Sequence, residues 1–382
     1  MRDEMKKAPR LRFRGFQEDW ELCKLKEIVD VRSGRDYKHL GSGNIPVYGT
    51  GGYMLSVSEA LSYDEDAIGI GRKGTINNPY ILKAPFWTVD TLFYAIPKNN
   101  FDLNFIYSIF RKINWKSKDE STGVPSLSKT TINAVTVYIP SGSEQQRIGE
   151  FFKQIDNTIT LHQRELDQLK ELKKAYLQLM FPVKDERVPK LRFADFEGEW
   201  EQCKFFDMWE KSSDRNKELK YSSKDVLSVA KMTKNPVERN SSDEYMKTYN
   251  ILHYGDIAFE GNKSKDYSFG RFVLNNLQDG IVSHVFIVFK PKVKMDIDFM
   301  KVYINNEYFM KHHLVKATTK TLMMTTLNVQ DMNKQKLRIP SLNEQERIGK
   351  FFKELDHAIT LHQNKLTQLK SLKKSYLQNM FI

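Results

Sequence analysis

An internal repeat restricts the fold of this chain more than any other feature of the sequence. Pro140 through Phe181 returns 200 residues later as Pro340 through Phe381, and from Ser141 to Phe181, 27 of 41 positions are identical in the second copy. A shorter repeat precedes each of these. Pro9, Leu11, Arg12, Phe13, Phe16, Trp20, Glu21, Cys23 and Lys24 recur 180 residues later as Pro189, Leu191, Arg192, Phe193, Phe196, Trp200, Glu201, Cys203 and Lys204. The stretches between these anchors, roughly 33–127 and 213–327, share no recognisable pattern and differ by 20 residues in length. A duplication that kept its scaffold while its inserts diverged predicts one frame holding two different modules.

The repeated segments read as long helices. Ser141 with Glu144, and Ser341 with Glu344, have capping-box spacing directly after a proline. Apolar residues then run Ile148, Phe152, Ile155, Ile159, Leu166, Leu169, Tyr176 and Met180, with His162 and Lys173 filling the gaps. Steps of four and three make a heptad seam, repeated from Ile348 to Met380. Antiparallel pairing with Ile148 against Met380 places the histidines near mid-length, as polar residues that fix register rather than as metal ligands. Phe151, Leu161, Leu172 and Leu177, with Phe351, Leu361, Leu372 and Leu377, widen the stripe and imply a further partner on these helices.

The inserts read as mixed α/β modules. Asp66–Ile70, Val89–Ile96, Ile257–Glu260 and Ile281–Phe289 have strand composition, while Phe101–Ile113 and Phe299–His313 have helical patterning. The expected organisation is a first module over 1–140, a helix over 141–181, a linker over 182–188, a second module over 189–340 and a helix over 341–382.

Composition permits a polyanionic partner without identifying one. A net charge of +12 favours polyanionic partners. No stretch is apolar enough to span a membrane and Met1–Arg14 has no apolar core, so a cytoplasmic location is expected. The two cysteines occupy matching repeat positions, which fits packing rather than a disulfide or zinc. Gly69-Ile70-Gly71 lacks dinucleotide-loop spacing, and Asn77-Asn78-Pro79-Tyr80 has asparagine where an amino-methyltransferase motif carries proline. Asp64, Glu65 and Asp66 lack the second-strand acid and lysine of a nuclease. No catalytic residue, metal site or cofactor is therefore expected on this chain.

What remains is polar, basic loops that recur in both halves. Arg72, Lys73, Thr75 and Asn77 form one, with Asn262, Lys263, Lys265 and Arg271 as counterpart. Ser121, Thr122, Ser126, Ser128 and Lys129 precede the first long helix, and Thr318, Thr319, Lys320 and Asn328 the second. Arginine and lysine suit phosphates or guanine edges, and asparagine pairs with adenine.

Trp20-Glu21 with Leu25, Val47-Tyr48-Gly49-Thr50-Gly51-Gly52, Gly71-Arg72-Lys73-Gly74-Thr75-Ile76, and Ile139-Pro140 followed by Glu144-Gln145 and Ile148 carry a family likeness. Ile339-Pro340, Glu344-Gln345 and Ile348 repeat the last of these. On these residues the chain resembles the DNA specificity subunit of bacterial type I restriction–modification systems. The resemblance adds Tyr48 and Thr50 to the expected DNA-binding residues. It implies two target-recognition domains separated by two helices in an antiparallel coiled coil with pseudo-two-fold symmetry. It also implies two methyltransferase subunits on the helices and a translocase/endonuclease subunit, with S-adenosylmethionine, ATP and Mg on those partners. The second module lacks the Tyr-Gly-Thr-Gly-Gly segment and carries Glu260-Gly261-Asn262-Lys263 instead of a Gly-Arg-Lys-Gly loop, so the two read different sequences. Other classes are a coiled-coil adaptor with nonspecific nucleic-acid affinity, or a methyltransferase or nuclease with an unfamiliar site.

Overall fold

A computed structural model describes residues 7–98, 100–234, 242–262, 264, 266–320 and 324–382. The chain divides into two units, Met1–Arg164 with Asn364–Ile382, and Glu165–Gln363. The division falls inside both long helices, so each unit owns one insert, one set of anchors and a share of each helix. Among the described residues, no helix is long and apolar enough to cross a membrane.

Unit 1 begins with β1 (Glu21–Lys24), the single-turn helix α1 (Leu25–Ile28) and β2 (Val29–Ser33). A hairpin of β3 (Ser42–Gly49) and β4 (Gly52–Val57) follows, then β5 (Ala67–Gly71), β6 (Tyr80–Leu82), β7 (Trp87–Thr88) and β8 (Leu92–Pro97). Helices α2 (Leu103–Lys112) and α3 (Lys129–Ala134) lead to β9 (Thr136–Ile139) and the long helix α4 (Gly142–Leu179). The central sheet has the order β2-β8-β5-β6, all antiparallel. All five residues of β5 are buried, because the strand is covered on both faces. Beside it lies a three-stranded sheet β4-β3-β7, and β1 pairs with β9.

Unit 2 repeats the plan. It has β10 (Glu201–Lys204), α5 (Phe205–Met208), β11 (Trp209–Lys211), β12 (Leu227–Ser228), β13 (Thr233–Lys234), α6 (Asp243–Met246) and β14 (Asn250–Leu252). Then come β15 (Ile257–Glu260), β16 (Arg271–Leu274), β17 (Gly280–Val282), β18 (Ile287–Pro291), α7 (Ile297–Ile304) and α8 (Glu307–Ala317). The hairpin β19 (Thr318–Lys320) and β20 (Thr325–Leu327) precedes α9 (Val329–Asn333), β21 (Lys336–Ile339) and α10 (Leu342–Asn379). Its central sheet, β11-β18-β15-β16, has the same order as in unit 1, and β10 pairs with β21 as β1 does with β9. The units differ in what is inserted: the hairpin sheet in unit 1, and the small sheets β12-β13 and β14-β17 in unit 2.

Three elements depart from the patterning. Val89–Ile96 reads as one strand, but Leu92 N–H donates to Val89 O in a tight turn and the strand begins at Leu92. Ile281–Phe289 reads as one strand but is two, broken by a turn in which Phe286 N–H donates to Ser283 O, because the halves serve different sheets. Phe299–His313 reads as one helix but breaks at Asn305–Asn306, where the Asn306 side chain caps α8 and also donates to Leu177 O. A side chain that competes for backbone donors favours this restart over helix continuation.

The repeated anchors explain the frame. Arg12 clasps Glu144 through two bonds of 2.8 and 2.7 Å, and Arg192 clasps Glu344 through two of 2.7 Å, with both glutamates buried. These carboxylates hold both guanidinium pKa values above their usual range, chiefly by the hydrogen bonds. The capping-box expectation is corrected accordingly: each glutamate turns to its arginine, and Ser341 Oγ accepts weakly from Glu344 N–H at 3.4 Å. The adjacent glutamine does a second job. Gln145 donates to Pro140 O and accepts from Asp102 N–H, and Gln345 does the same with Pro340 O and Asp296 N–H. That fixes α2 and α7 against the long helices.

Within each unit the two helix shares run antiparallel. In unit 1 Phe151 meets Tyr376 at 5.0 Å between ring centroids and Asp156 pairs with Lys373. In unit 2 Phe351 meets Tyr176 at 4.9 Å, and Lys173 Nζ lies 2.5 Å from Asp356 Oδ1. The lysines that interrupt the heptad seam are therefore charge partners of aspartates on the opposing helix. Phe381 stacks on Phe105 beneath Trp20, as Phe181 stacks on Phe299 beneath Trp200. Burying a phenylalanine of this kind contributes about 1.5–3 kcal/mol. The segment 182–188 is not a bare connector: Val183 N–H donates to Glu186 Oε2, and Arg187 O accepts from Trp200 N–H. Both cysteines are free and half-buried in β1 and β10; burial raises both thiols, that of Cys203 to about 11.

Candidate nucleic-acid interface

The structure brings together the two polar loops of unit 1. The first leaves β5 at Gly71, where a Cβ would lie 2.2 Å from Thr75 O, and turns at Gly74 with φ +85°. Only glycine fits the first position, and the second favours it. Leu127 N–H then donates to Arg72 O at 2.9 Å and Gly74 N–H to Pro125 O at 2.8 Å, with Lys73 bridged to Ser126. Ser33, Arg72, Lys73, Phe93, Ser126 and Lys129 line a cleft of about 390 Å³. Arg72, Lys73, Thr75, Asn77 and Lys129 are exposed, and buried Ile76 anchors the loop. The Arg72 guanidinium lies 5.8 Å from the Phe93 ring centroid and 3.4 Å from Asp90 O. Ser33 and Phe93 escape sequence reasoning because they lie outside the two polar loops, Ser33 at the end of the alternating strand β2 and Phe93 in the apolar strand β8.

The hydroxyls of the second loop mostly shape it. Ser128 Oγ caps α3 by accepting from Thr131 N–H and donates to Glu120. Asp119 accepts from Ser126 N–H and from both the N–H and hydroxyl of Ser121, which hold its carboxyl below the usual range. The adjacent acids Asp64, Glu65 and Asp66 do not form a ligand set: Glu65 pairs with Arg32 and Asp66 with Lys83. Tyr80 donates to Gly49 O at 2.5 Å, and burial raises its phenol.

Tyr48 and Thr50 stand apart from this cleft's lining. Tyr48 is half-buried on β3 between Tyr53 and Tyr80, at 6.3 and 6.1 Å between ring centroids. The exposed aromatic of that hairpin is Tyr53.

Unit 2 builds the corresponding place from other residues. A Cβ on Gly261 would lie 2.2 Å from Thr325 O, Thr325 N–H donates to Gly261 O at 2.8 Å, and Asn262 is bridged to Met324. Asn262, Thr319 and Lys320 are exposed, and Lys320 Nζ sits 3.8 Å from the Phe269 ring centroid. Asn328 caps α9 as Ser128 caps α3. Arg271 is committed within the chain: its Nε donates to buried Glu260 at 2.7 Å, its Nη2 to Ala230 O at 2.8 Å, and it covers the Tyr267 ring. Lys263 and Lys265 lie outside the described residues.

The helix stripe also divides. Phe151, Leu177, Phe351 and Leu377 pack against the unit cores and are not a spare face, a correction of the sequence reading. The cores need them because the N-terminal anchors fold onto this side: Phe13 meets Phe151 and Phe193 meets Phe351. Of the eight, Leu161, Leu172, Leu361 and Leu372 remain exposed at 53%, 44%, 59% and 44%, and Leu179 and Leu342 are also exposed at the helix ends.

A family model described as the type I restriction modification DNA specificity domain matches residues 17–171 and again 197–371. The type I restriction enzyme MjaVIII specificity subunit of Methanocaldococcus jannaschii is 24% identical over 213 residues, covering 46% of this chain and 48% of that protein. The chain thus spans about half the length of this curated relative. Among solved structures, the S subunit of a type I restriction–modification system from M. genitalium superposes with a TM-score of 0.68 at 12% identity, covering 98% of this chain and 99% of that one. A chain solved for the complex assembly and conformational transition of a type I system gives 0.50 at 12% identity, covering 94% and 96%. These two superpositions speak to fold alone.

Proposed function

Because the chain belongs to the type I restriction–modification DNA specificity family, we propose that it is the non-catalytic subunit that selects the DNA sequence, one unit per half of a bipartite target. One observation carries this reading. In both units the loop that leaves the central sheet is bridged to the segment before the next short helix, Lys73 to Ser126 in one and Asn262 to Met324 in the other, presenting Arg72, Lys73, Ser126 and Lys129 in unit 1 and Asn262, Thr319 and Lys320 in unit 2. A conserved scaffold that presents unlike hydrogen-bonding groups at one place is what two base-reading modules of different specificity require. Lysine and arginine supply phosphate affinity, and the rigid pinning holds the side chains ready before contact.

The exposed leucines Leu161, Leu172, Leu361 and Leu372 are the docking points for two methyltransferase subunits, with a translocase/endonuclease subunit joining through them. S-adenosylmethionine, ATP and Mg then act on those partners, and the assembly works in the cytoplasm. The test is to express the chain with its methyltransferase subunits and map modified adenines. A two-part motif is expected, and Arg72→Ala with Lys73→Ala degrades one part only. Methyl transfer by the purified chain alone, or an unstructured motif, refutes the proposal.

A further inference from the structure

In unit 1 a tight turn, Val89–Leu92, acts as a hub for the loops around the cleft. Leu92 N–H closes it on Val89 O at 3.0 Å. Arg35 N–H donates to Thr88 O at 2.9 Å, Gly34 N–H to Leu92 O at 3.0 Å, and Arg72 N–H to Thr91 O at 2.8 Å. Val89 N–H in turn donates to Tyr48 O, so the β3–β4 hairpin is tied to the same four residues. Gly34 admits no side chain, since a Cβ would lie 2.0 Å from Val89 O. At the tip of this turn stands Asp90, exposed, with its own carbonyl reached by the Arg72 guanidinium. Among the described residues its carboxylate takes part in no ion pair.

A carboxylate on the turn whose backbone carbonyls hold Arg72 and Lys73 lowers affinity for phosphate, so backbone binding does not account for it. It is an acceptor only, and the DNA groups that satisfy an acceptor in the major groove are the amino groups of cytosine and adenine. Unit 2 has a turn of the same kind leading into the corresponding strand, with Phe286 N–H donating to Ser283 O at 3.1 Å. Its tip residue is His284, exposed and set edge-on to Tyr245. An imidazole N–H donates where a carboxylate accepts, and purine N7 or guanine O6 is its complement.

We propose that the tip of this turn, Asp90 in unit 1 and His284 in unit 2, is a specificity-determining position at which unit 1 reads a base amino group and unit 2 a purine acceptor. The inference rests on the DNA-reading function proposed above. Its test uses the full chain assembled with its methyltransferase subunits and carrying Asp90→Ala, the near-isosteric Asp90→Asn, or His284→Ala. Adenine modification is mapped, and binding to target and random duplexes is compared. Asp90→Ala is expected to make one position of one half-site degenerate, leave the other half-site unchanged, and cut the target-to-random affinity ratio roughly tenfold. Asp90→Asn alters preference at that same position, and His284→Ala gives the mirror result. Unchanged site maps overturn the proposal, as does an Asp90→Ala gain in affinity equal for target and random DNA. A wild-type assembly without sequence preference instead defeats the underlying functional reading.

Discussion

Unit 1 and unit 2 share their arginine–glutamate clasp, the glutamine that ties a helix cap to a proline carbonyl, the stacked phenylalanine under a tryptophan, and the strand order of the central sheet. They share almost nothing in the loops that this frame holds out. The difference teaches where each kind of constraint acts. Frame residues meet one another in buried, mutually dependent contacts, so a change in one strands its partner. Loop residues meet solvent, and are free to diverge once glycine has made the turn possible.

The sharpest way to break the comparison is the clasp. Removing one partner of a buried ion pair costs about 3–5 kcal/mol, because the other charge stays buried. Arg12→Ala and Arg192→Ala are both expected in that range by denaturant unfolding, but they are not equal. Trp200 Nε1 donates to Glu344 at 3.3 Å, whereas buried Trp20 Nε1 has no partner, so Glu344 keeps a donor that Glu144 lacks. Arg12→Ala should therefore cost more, and an equal or reversed order shows that the tryptophan contact is idle.

Next in size is the close approach of the long helices to the caps of α2 and α7. A Cβ on Gly149 would lie 2.1 Å from Asp102 Oδ1 and 2.9 Å from Phe105 N; on Gly349 it would lie 2.4 Å from Asp296 Oδ1 and 2.5 Å from Phe299 N. Overpacking of this kind costs about 1–3 kcal/mol. Gly349→Ala should exceed Gly149→Ala, because backbone yields less readily than a carboxylate. Matched melting temperatures for the two variants would show that the helices simply shift.

The smallest effect is a pH response in unit 2. Burial pushes His313 down to about 4, so between pH 6.5 and 4 the unfolded chain binds more protons and stability falls as pH drops. Burial pushes Asp256 up to about 6, so from pH 6 down to its unfolded value the folded chain binds more protons and stability rises as pH drops. The two oppose each other. Asp256→Asn should expose the histidine's contribution, making hydrogen exchange in β15 and β18 rise as pH falls from 6.5 to 4 after correction for intrinsic rates. A flat profile in that variant removes His313 as the cause.

Much of the frame is legible in the sequence because repetition marks which segments are scaffold: the short anchors and the heptad helices recur together while the inserts between them do not. Ile257–Glu260 is the observed strand to the residue: Ile257, Ala258 and Phe259 are buried apolar positions, and Glu260 closes the strand as a buried carboxylate paired with Arg271. The candidate site is less legible. Arg72, Lys73, Ser126 and Lys129 are readable as polar loop residues, yet Ser33 and Asp90 carry no local signal, and Arg271 looks available until its buried partner Glu260 is seen.

By itself the sequence determined the duplication, the two heptad helices and the unlike inserts, because side-chain periodicity and identity between copies are local properties of the chain. Tertiary structure alone decided which apolar helix residues are consumed by the cores, which glutamates abandon their caps for arginines, and which turns gather the loops. Those outcomes depend on burial and on competition for hydrogen-bond partners far apart in the chain, and neither is written in any one segment.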